Sequence, residues 1–243
     1  MTKIQSDQYS SNGWIPDPNT WTFSSSDAPT YIVSINADVT AYIGLGMRIK
    51  VADSGEQMGI VTAVGAFGGG VTLVTIYCGT EFALSGGAIT LPYYSREKAP
   101  FGFPLDPLKW TVEVTDTTNR VQATPTQSVW YNLGSFSISI PIGAWNTSYK
   151  VILNSIDSTS SIWQNRTTLS TSNNSESDTD FTILSNVGNV IRIYITHMIN
   201  KNIILSSKTT YYLNQRTIVA NLDNMYIRGD YIPTLIRAVC AYL

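Results

Sequence analysis

The stretch Ser135-Phe-Ser-Ile-Ser-Ile140 alternates polar and apolar residues at every step. Successive side chains of a β-strand point to opposite faces, so Phe136, Ile138 and Ile140 share one face and the serines the other. One apolar face and one polar face are typical of an antiparallel sheet that covers a core on one side. The stretch therefore predicts a half-buried antiparallel strand.

Similar stretches recur along the chain. Short runs of β-branched and aromatic residues, bounded by Gly, Asn, Asp and Pro, follow one another at intervals of about ten residues, whereas helical periodicity is hard to find. The glycines of Phe67-Gly-Gly-Gly70 and Asp53-Ser-Gly55 supply the positive φ angles that hairpin turns need. The pattern predicts an all-β protein, and residues 170–179, which contain no apolar side chain, predict a solvated loop.

The composition changes between Pro92 and Trp110, where four of the ten prolines and a cluster of rings occur. Because proline lacks a ladder donor and disfavours helix before it, residues 92–107 are predicted to form an ordered, extended connector that is neither strand nor helix. We place a domain boundary there. Residues 1–107, including the connector, are predicted to form a small β-barrel-like domain, and residues 108–243 a jelly-roll-like β-sandwich. The many short strands predicted in 108–243 favour a jelly roll over an immunoglobulin fold.

Five rings in and beside the connector would expose a large apolar area if the segment were free in water. At ~25 cal/mol per Å² that exposure is costly. We therefore expect the rings to pack against a domain or a neighbouring subunit and to act as a strap between domains or at an interface. These strap residues are Tyr93, Tyr94, Phe101, Phe103 and Trp110.

Charge is scarce in this chain. Charged residues make up 13%, against the ~25% usual in globular proteins, and the net charge is −2. A surface of neutral polar side chains suits permanent contacts, and no basic run interleaved with aromatics supplies the electrostatic attraction that nucleic-acid binding needs. No apolar run approaches the ~18 residues of a membrane-spanning helix, and the opening MTKIQSDQYS lacks the apolar centre of a signal peptide. We expect neither a nucleic-acid partner nor membrane insertion. We expect the chain to accumulate in the cytoplasm of the producing cell.

Residues for nucleophilic, metal or cofactor chemistry are few. The two cysteines, Cys78 and Cys240, lie far apart in apolar β-like runs, which favours buried free thiols over a disulfide. The single histidine, His197, alternates with apolar neighbours and fits a strand histidine without a functional role. A lone histidine cannot build a histidine-based metal site, and the chain contains neither a G-x-S-x-G nor a C-x-x-C motif. No cofactor, metal or catalytic residue is predicted.

A pair of carboxylates could in principle act as a glycosidase, provided that the two groups lie ~5–9 Å apart. The candidates are Glu113, Asp116, Asp157, Glu176, Asp178, Asp180, Asp223 and Asp230. Several of them fall in the polar loop, which is a poor place to fix the position of an acid. We expect a protein that is not an enzyme.

Six tryptophans are many for this length. Large rings usually fill cores and subunit interfaces, and most of the six are expected to do so. Trp145 and Trp163 lie beside polar loops and are the only candidates for a platform on which a sugar ring could stack.

The N-terminal hundred residues resemble structural proteins of phages and prophages of Gram-positive hosts. The resemblance rests on Gly13-Trp14, Asn19-Thr-Trp-Thr22, Gly44-Leu-Gly-Met-Arg-Ile-Lys50, Met58-Gly-Ile-Val-Thr-Ala-Val64, Ala88-Ile-Thr-Leu-Pro-Tyr-Tyr-Ser-Arg96 and, most specifically, Ala99-Pro-Phe-Gly-Phe-Pro104 with Lys109-Trp110. A weaker resemblance to the second domain of such proteins involves Thr168-Leu-Ser-Thr-Ser-Asn-Asn-Ser175, Lys208-Thr-Thr-Tyr-Tyr-Leu213 and Ala238-Val-Cys-Ala-Tyr242.

The resemblance implies a virion component, assembled in the host cytoplasm, in the tail, baseplate or a fibre-like appendage. The N-terminal domain would be the mount and the C-terminal sandwich the exposed part. Such a component is expected to form a homo-oligomer, with a trimer favoured, to contact other virion proteins and to attach to a host cell-surface glycan. Two alternatives stay open: a carbohydrate-binding module or glycan depolymerase that acts as a monomer, and a capsid-associated decoration or head-fibre protein.

Overall fold

The computed structural model describes residues 12–218 and 222–243. Strands hold 57% of the residues and helix 5%, which confirms the all-β prediction. Within these residues, sixteen strands form two antiparallel sheets, one of seven strands and one of nine. This arrangement agrees with a β-sandwich, and one sheet curls into a half-barrel.

All strands of the first sheet precede residue 96, and their order across the sheet is β1-β7-β4-β5-β6-β3-β2. Their bounds are β1 (Ile15–Pro16), β2 (Trp21–Asp27), β3 (Thr30–Ile35), β4 (Arg48–Ala52), β5 (Glu56–Val64), β6 (Thr72–Tyr77) and β7 (Thr90–Ser95).

The second sheet begins directly after a 3-10 helix at Pro107–Trp110. Its strands are β8 (Thr111–Asp116), β9 (Asn119–Ala123), β10 (Trp130–Tyr131), β11 (Ser137–Ile140), β12 (Gly143–Ser170), β13 (Thr182–Leu205), β14 (Thr209–Thr217), β15 (Asn224–Arg228) and β16 (Thr234–Cys240). The stretch that opened the sequence analysis is β11, in which Ile138 and Ile140 are buried as the alternation predicts.

A long hairpin dominates this sheet. β12 has 28 residues and pairs with the 24 residues of β13 from Gly143 opposite Leu205 to Thr168 opposite Thr182. The other side of β12 pairs in turn with β16, β15 and β14. In the part of the chain that the structure describes, β13 is hydrogen-bonded on one side only. The sequence pattern predicts several short strands here, and this is wrong because serine- and threonine-rich runs that resemble turns also fit a paired, pleated strand.

One hydrophobic core crosses between the two sheets. Met58, Ile60 and Tyr77 of the first sheet pack in the same buried cluster as Trp110 and Trp145. The ring of Tyr77 meets that of Trp145 edge-on, with centroids 4.9 Å apart. The shared core crosses the boundary predicted at 107/108, and independent folding of residues 108–243 stays a prediction.

The connector differs from its prediction at both ends. Thr90–Ser95 is a strand between β1 and β4, and Pro107–Trp110 is a 3-10 helix capped by Asp106, whose side chain accepts the Leu108 N–H. Proline fits inside β7 because the pairing with β4 shifts register there: Leu91 has a φ of 49°, which marks a bulge. Proline also suits the first turn of a helix, where its missing N–H is not needed.

Both cysteines are buried and unpaired, as predicted. Burial raises the pKa of Cys78 and raises that of Cys240 to about 11. Both thiols are therefore protonated and unreactive at neutral pH.

Candidate functional site

The strap rings meet at the junction of the two sheets. Phe103 stacks on Trp110 with centroids 5.0 Å apart and planes 4° from parallel. Trp110 is fully buried, and its indole N–H donates to the carbonyl oxygen of Pro104 at 2.7 Å. The guanidinium of Arg48 lies 4.9 Å from the centre of the Phe103 ring, close enough for a cation–π contact.

The other three strap rings lie in different surroundings. Tyr93 and Tyr94 are half-buried on β7, where Lys50 covers Tyr93 and the ring of Tyr42 lies 5.3 Å from that of Tyr94. Phe101 is 81% exposed. Four of the five rings therefore pack within the chain, whereas Phe101 does not, and its packing against a neighbouring subunit stays a prediction.

Arg48 holds this junction together. Its side chain is 1% exposed and donates to three carbonyl oxygens, those of Gly46 at 2.7 Å and of Lys98 and Tyr242 at 3.1 Å. Burial lowers the pKa of Arg48, although a guanidinium stays charged at neutral pH. The arrangement links the connector and strand β4 to the end of the second sheet, which is a structural task.

The structure rules out Trp145 as a sugar platform. The ring is 0% exposed in the shared core, and its indole N–H donates to the carbonyl oxygen of Pro141 at 2.8 Å. A stacking platform needs an exposed face, and the polar residues beside Trp145 in the sequence do not provide one because alternation turns the ring inward. Trp163 lies in β12 opposite Val187, and its side chain is outside the described residues.

A groove opens on the outer face of the long hairpin instead. Its volume is about 330 Å³, and its lining includes Ile152, Tyr194 and Tyr231. The rings of Tyr194 and Tyr231 stack with centroids 5.7 Å apart and planes 22° from parallel. Arg228 lies 3.8 Å from the centre of the Tyr231 ring and is itself held by Asp230.

Asn154 lies on the same face of the hairpin as the groove and lacks side-chain hydrogen-bond partners, as Gln215 does elsewhere. Asn154 is opposite Tyr194 in the β12–β13 pair, so the two side chains share a face, as does Ile152 two residues earlier. The Asn154 side chain is 1% exposed, yet neither its amide oxygen nor its amide nitrogen has a hydrogen-bond partner in the described chain. An unsatisfied buried polar group costs about 1–3 kcal/mol, so this position is suited to a buried water.

Sequence reasoning missed this groove because its residues come from β12, β13 and the loop after β15. Ile193-Tyr-Ile195 reads as an ordinary strand, and nothing in the sequence shows that Tyr231 returns to it. The only local signal is the aromatic ring in the polar turn Arg228-Gly-Asp-Tyr231.

His197 belongs to the interior of the hairpin. Its Nε2 lies 2.8 Å from the Ser185 hydroxyl oxygen and its Nδ1 3.0 Å from that of Thr167. Burial lowers the pKa of His197 to about 4, so the ring is neutral at neutral pH. Since the histidine is 1% exposed, the serine contact satisfies a buried ring and does not form an accessible nucleophile.

Most of the candidate carboxylates are occupied by basic groups. Lys201 Nζ lies 2.6 Å from Asp178 and lowers the pKa of that carboxyl, and Arg228 lowers the pKa of Asp230 in the same way. A glycosidase acid needs a raised pKa, which these two do not have. Three others form ion pairs: Glu113 with Arg237, Asp116 with Arg120 and Asp180 with Lys201. Glu176 accepts a hydrogen bond from the Thr182 hydroxyl. Asp157 is buried and Asp223 is half-buried.

Two further features concern metals and membranes. Within residues 12–218 and 222–243, no group of three or more His, Cys, Asp or Glu side chains is placed to hold a metal ion. No helix in the same residues has the length and apolar character needed to cross a membrane.

No protein-family model matches this chain, and no curated protein matches it. Among solved structures, it is similar to a chain of the T13 particle of infectious bursal disease virus (IBDV), with 13% identity and a TM-score of 0.35 over 91% of this chain and 57% of that one. For a chain of infectious bursal disease virus strain Gx, the identity is 12% and the TM-score 0.31, over 93% of this chain and 61% of that one. For the VP2 subviral particle of that virus, the identity is 12% and the TM-score 0.30, over 91% of this chain and 59% of that one. The chain thus spans about three fifths of those chains. Scores this low do not show a shared fold, so the likeness says nothing about what this chain does.

Proposed function

We propose that this chain is a non-enzymatic structural component of a phage particle that works as a homo-oligomer. One observation carries the proposal. β13 offers 24 residues of strand whose outer edge is unpaired in the described part of the chain. An open edge presents a row of N–H and C=O groups that another chain can pair, and natural monomers avoid long edges of this kind.

The surface beside this edge supports the same role. Leu184, Tyr194, Met198 and Ile204 are 43–84% exposed and share the outer face of β13. A chain with only 13% charged residues relies on neutral polar groups for solubility, so these apolar side chains suit a permanent contact.

The resemblance of the N-terminal segment to phage and prophage structural proteins supports the virion setting, in a tail, baseplate or fibre-like appendage. In this proposal the first sheet is the mount, and the second sheet with its long hairpin is the exposed part. The pairing of candidate carboxylates with basic groups supports a role without catalysis.

The proposal is tested on purified particles. We expect peptides of this chain in gradient-purified virions at a fixed ratio to the other structural proteins, and we expect that ratio to survive a high-salt wash. Electron microscopy with antibody-labelled particles would then separate a tail or baseplate position from a decoration of the head. Absence of the chain from purified particles would refute the virion role.

A second function, glycan binding, is favoured by the groove beside Tyr194 and Tyr231. Tyrosine rings provide apolar faces on which sugar rings stack. We expect Tyr231→Ala to lower affinity for a host-wall polysaccharide at least about tenfold, since one tenfold step is ~1.4 kcal/mol. Phe101→Ala, which removes an exposed ring elsewhere, is the matched control. Equal affinities in the two variants would exclude the groove.

A further inference from the structure

We propose that the open edge of β13 pairs with β13 of a second copy of this chain, antiparallel and centred on Tyr194. The inference rests on the proposed function, because it names the partner and the surface of the homo-oligomer. A two-fold axis through such a pair makes Tyr194 face its own counterpart. Residues equally far from Tyr194 on either side then face each other across the interface.

Part of the β13 sequence is self-complementary about this centre, although Ile191 would face His197 and Arg192 would face Thr196. One asparagine would face another asparagine. Large aliphatic residues would face each other next to Tyr194 and also at the two ends of the strand. The matched pairs are Ile193 with Ile195, Asn186 with Asn202, Leu184 with Ile204, and Ile183 with Leu205. An isologous interface requires that the facing residues fit each other, and pairs of like aliphatic or amide residues do so.

The side chains of the two arms of β13 also point in compatible directions. Even-numbered residues are exposed on both arms, as shown by Leu184 at 45%, Tyr194 at 43% and Ile204 at 84%. The register shifts between Ile156 and Trp163 of β12 fall between the two arms, where the odd-numbered Ile191 is also exposed, at 59%. Leu184 of one copy would therefore lie on the same face of the joined sheet as Ile204 of the other.

The edge lacks most of the devices that keep edges apart. Native sheets protect them with proline, lysine or very short edge strands. β13 contains no proline, and its only lysine, Lys201, is bonded to Asp178 and Asp180 of its own chain. An edge of this length that is protected only by Arg192 and by these register shifts fits a strand that is covered in the assembled protein.

The dimensions also suffice for a stable dimer. The 24 residues of β13, at ~3.3 Å each, span about 80 Å, and a sheet about 10 Å thick presents about 800 Å² along such an edge. A standard interface buries about 800 Å² on each partner. The two-fold pairing closes on itself, so it yields a dimer or an assembly built from dimers and not an open fibre.

Engineered disulfides test both the partner and the register. Opposed Cβ atoms in an antiparallel pair lie ~4.5–5.5 Å apart, near the range that a disulfide spans, and both native cysteines are buried and do not compete. Tyr194→Cys should link to its own counterpart. The double variant Leu184→Cys/Ile204→Cys should link across the pair. Ile204→Cys alone, although at 84% the most exposed of these positions, should not link because it faces a leucine.

Under mild oxidation we expect the covalent dimer fraction of Tyr194→Cys and of the double variant to exceed that of Ile204→Cys at least about tenfold. Light scattering of the unmodified chain should give a dimer or an even-numbered oligomer. Equal linking in all three variants, no linking in any, or a trimer would overturn the two-fold edge pairing. An oligomer without these links would refute this inference alone, whereas absence from particles refutes the proposed function.

Discussion

Phe103→Ser removes a ring from the junction where the connector meets both sheets. The ring is 6% exposed, stacks on Trp110 and lies under Arg48. Truncating a buried phenylalanine costs about 3–5 kcal/mol, and a stacked aromatic pair contributes ~0.5–1.5 kcal/mol beyond its buried area. We therefore expect the free energy of unfolding to fall by about 3–5 kcal/mol.

In a chain of this size, 1 kcal/mol lowers Tm by about 2–4 °C, so calorimetry should show a loss of about 6–20 °C. Phe101→Ser is the matched control: it is the same substitution two residues away, at a ring that is 81% exposed. We expect the control to stay within about 0.5 kcal/mol of the unmodified chain. A control as damaging as Phe103→Ser, or a Phe103→Ser loss under about 1 kcal/mol, would refute the packing argument.

Three further outcomes are expected. In urea unfolding, Gly79→Ala should destabilise the chain far more than Gly69→Ala. Both glycines have φ near +60°, so the backbone strain is the same. A Cβ at Gly79 would clash with the carbonyl oxygen of Lys109, whereas a Cβ at Gly69 would have no atom within 4 Å. Because the pKa of His197 is depressed in the folded chain, the unfolded chain binds the proton first as pH falls. The free energy of unfolding should therefore fall by about 1–3 kcal/mol as pH drops from 6.5 towards 4. His197→Gln should flatten that pH dependence, and an unchanged slope would contradict the assignment. Residues 108–243 alone should give a β-type circular dichroism spectrum. The Tm of this fragment should be lower than that of the full chain, because the first sheet no longer covers the shared core. A random-coil spectrum would contradict independent folding.

The sequence predicts the class of fold and many local elements because these depend on neighbouring residues. The alternation around Ile138, for example, gives the right buried face. Strand length in the hairpin is not predictable in this way. Whether a serine-rich run turns or stays extended depends on partners far along the chain, such as β15 and β16 against β12.

The candidate site shows the same limit. Phe103 and Trp110 could be identified from ring density and proline content alone, since exposing so much apolar surface is costly. Trp145 was assigned wrongly because polar neighbours in the sequence do not report which face of a strand a ring occupies. The groove combines Ile152, Tyr194 and Tyr231 from three separate elements, and only the pairing of β12 with β13 brings the first two together.

The burial of Arg48 bears on how the chain is made. One of its three acceptors, the carbonyl of Tyr242, is 194 residues further along. At a synthesis rate of ~5–20 residues per second, the ribosome needs about 10–40 s to deliver that acceptor. Until then the guanidinium must keep contact with water, so the first sheet cannot close over it. We expect the junction to mature only late in synthesis, which leaves the nascent first sheet dependent on solvent, or on a chaperone, for those seconds.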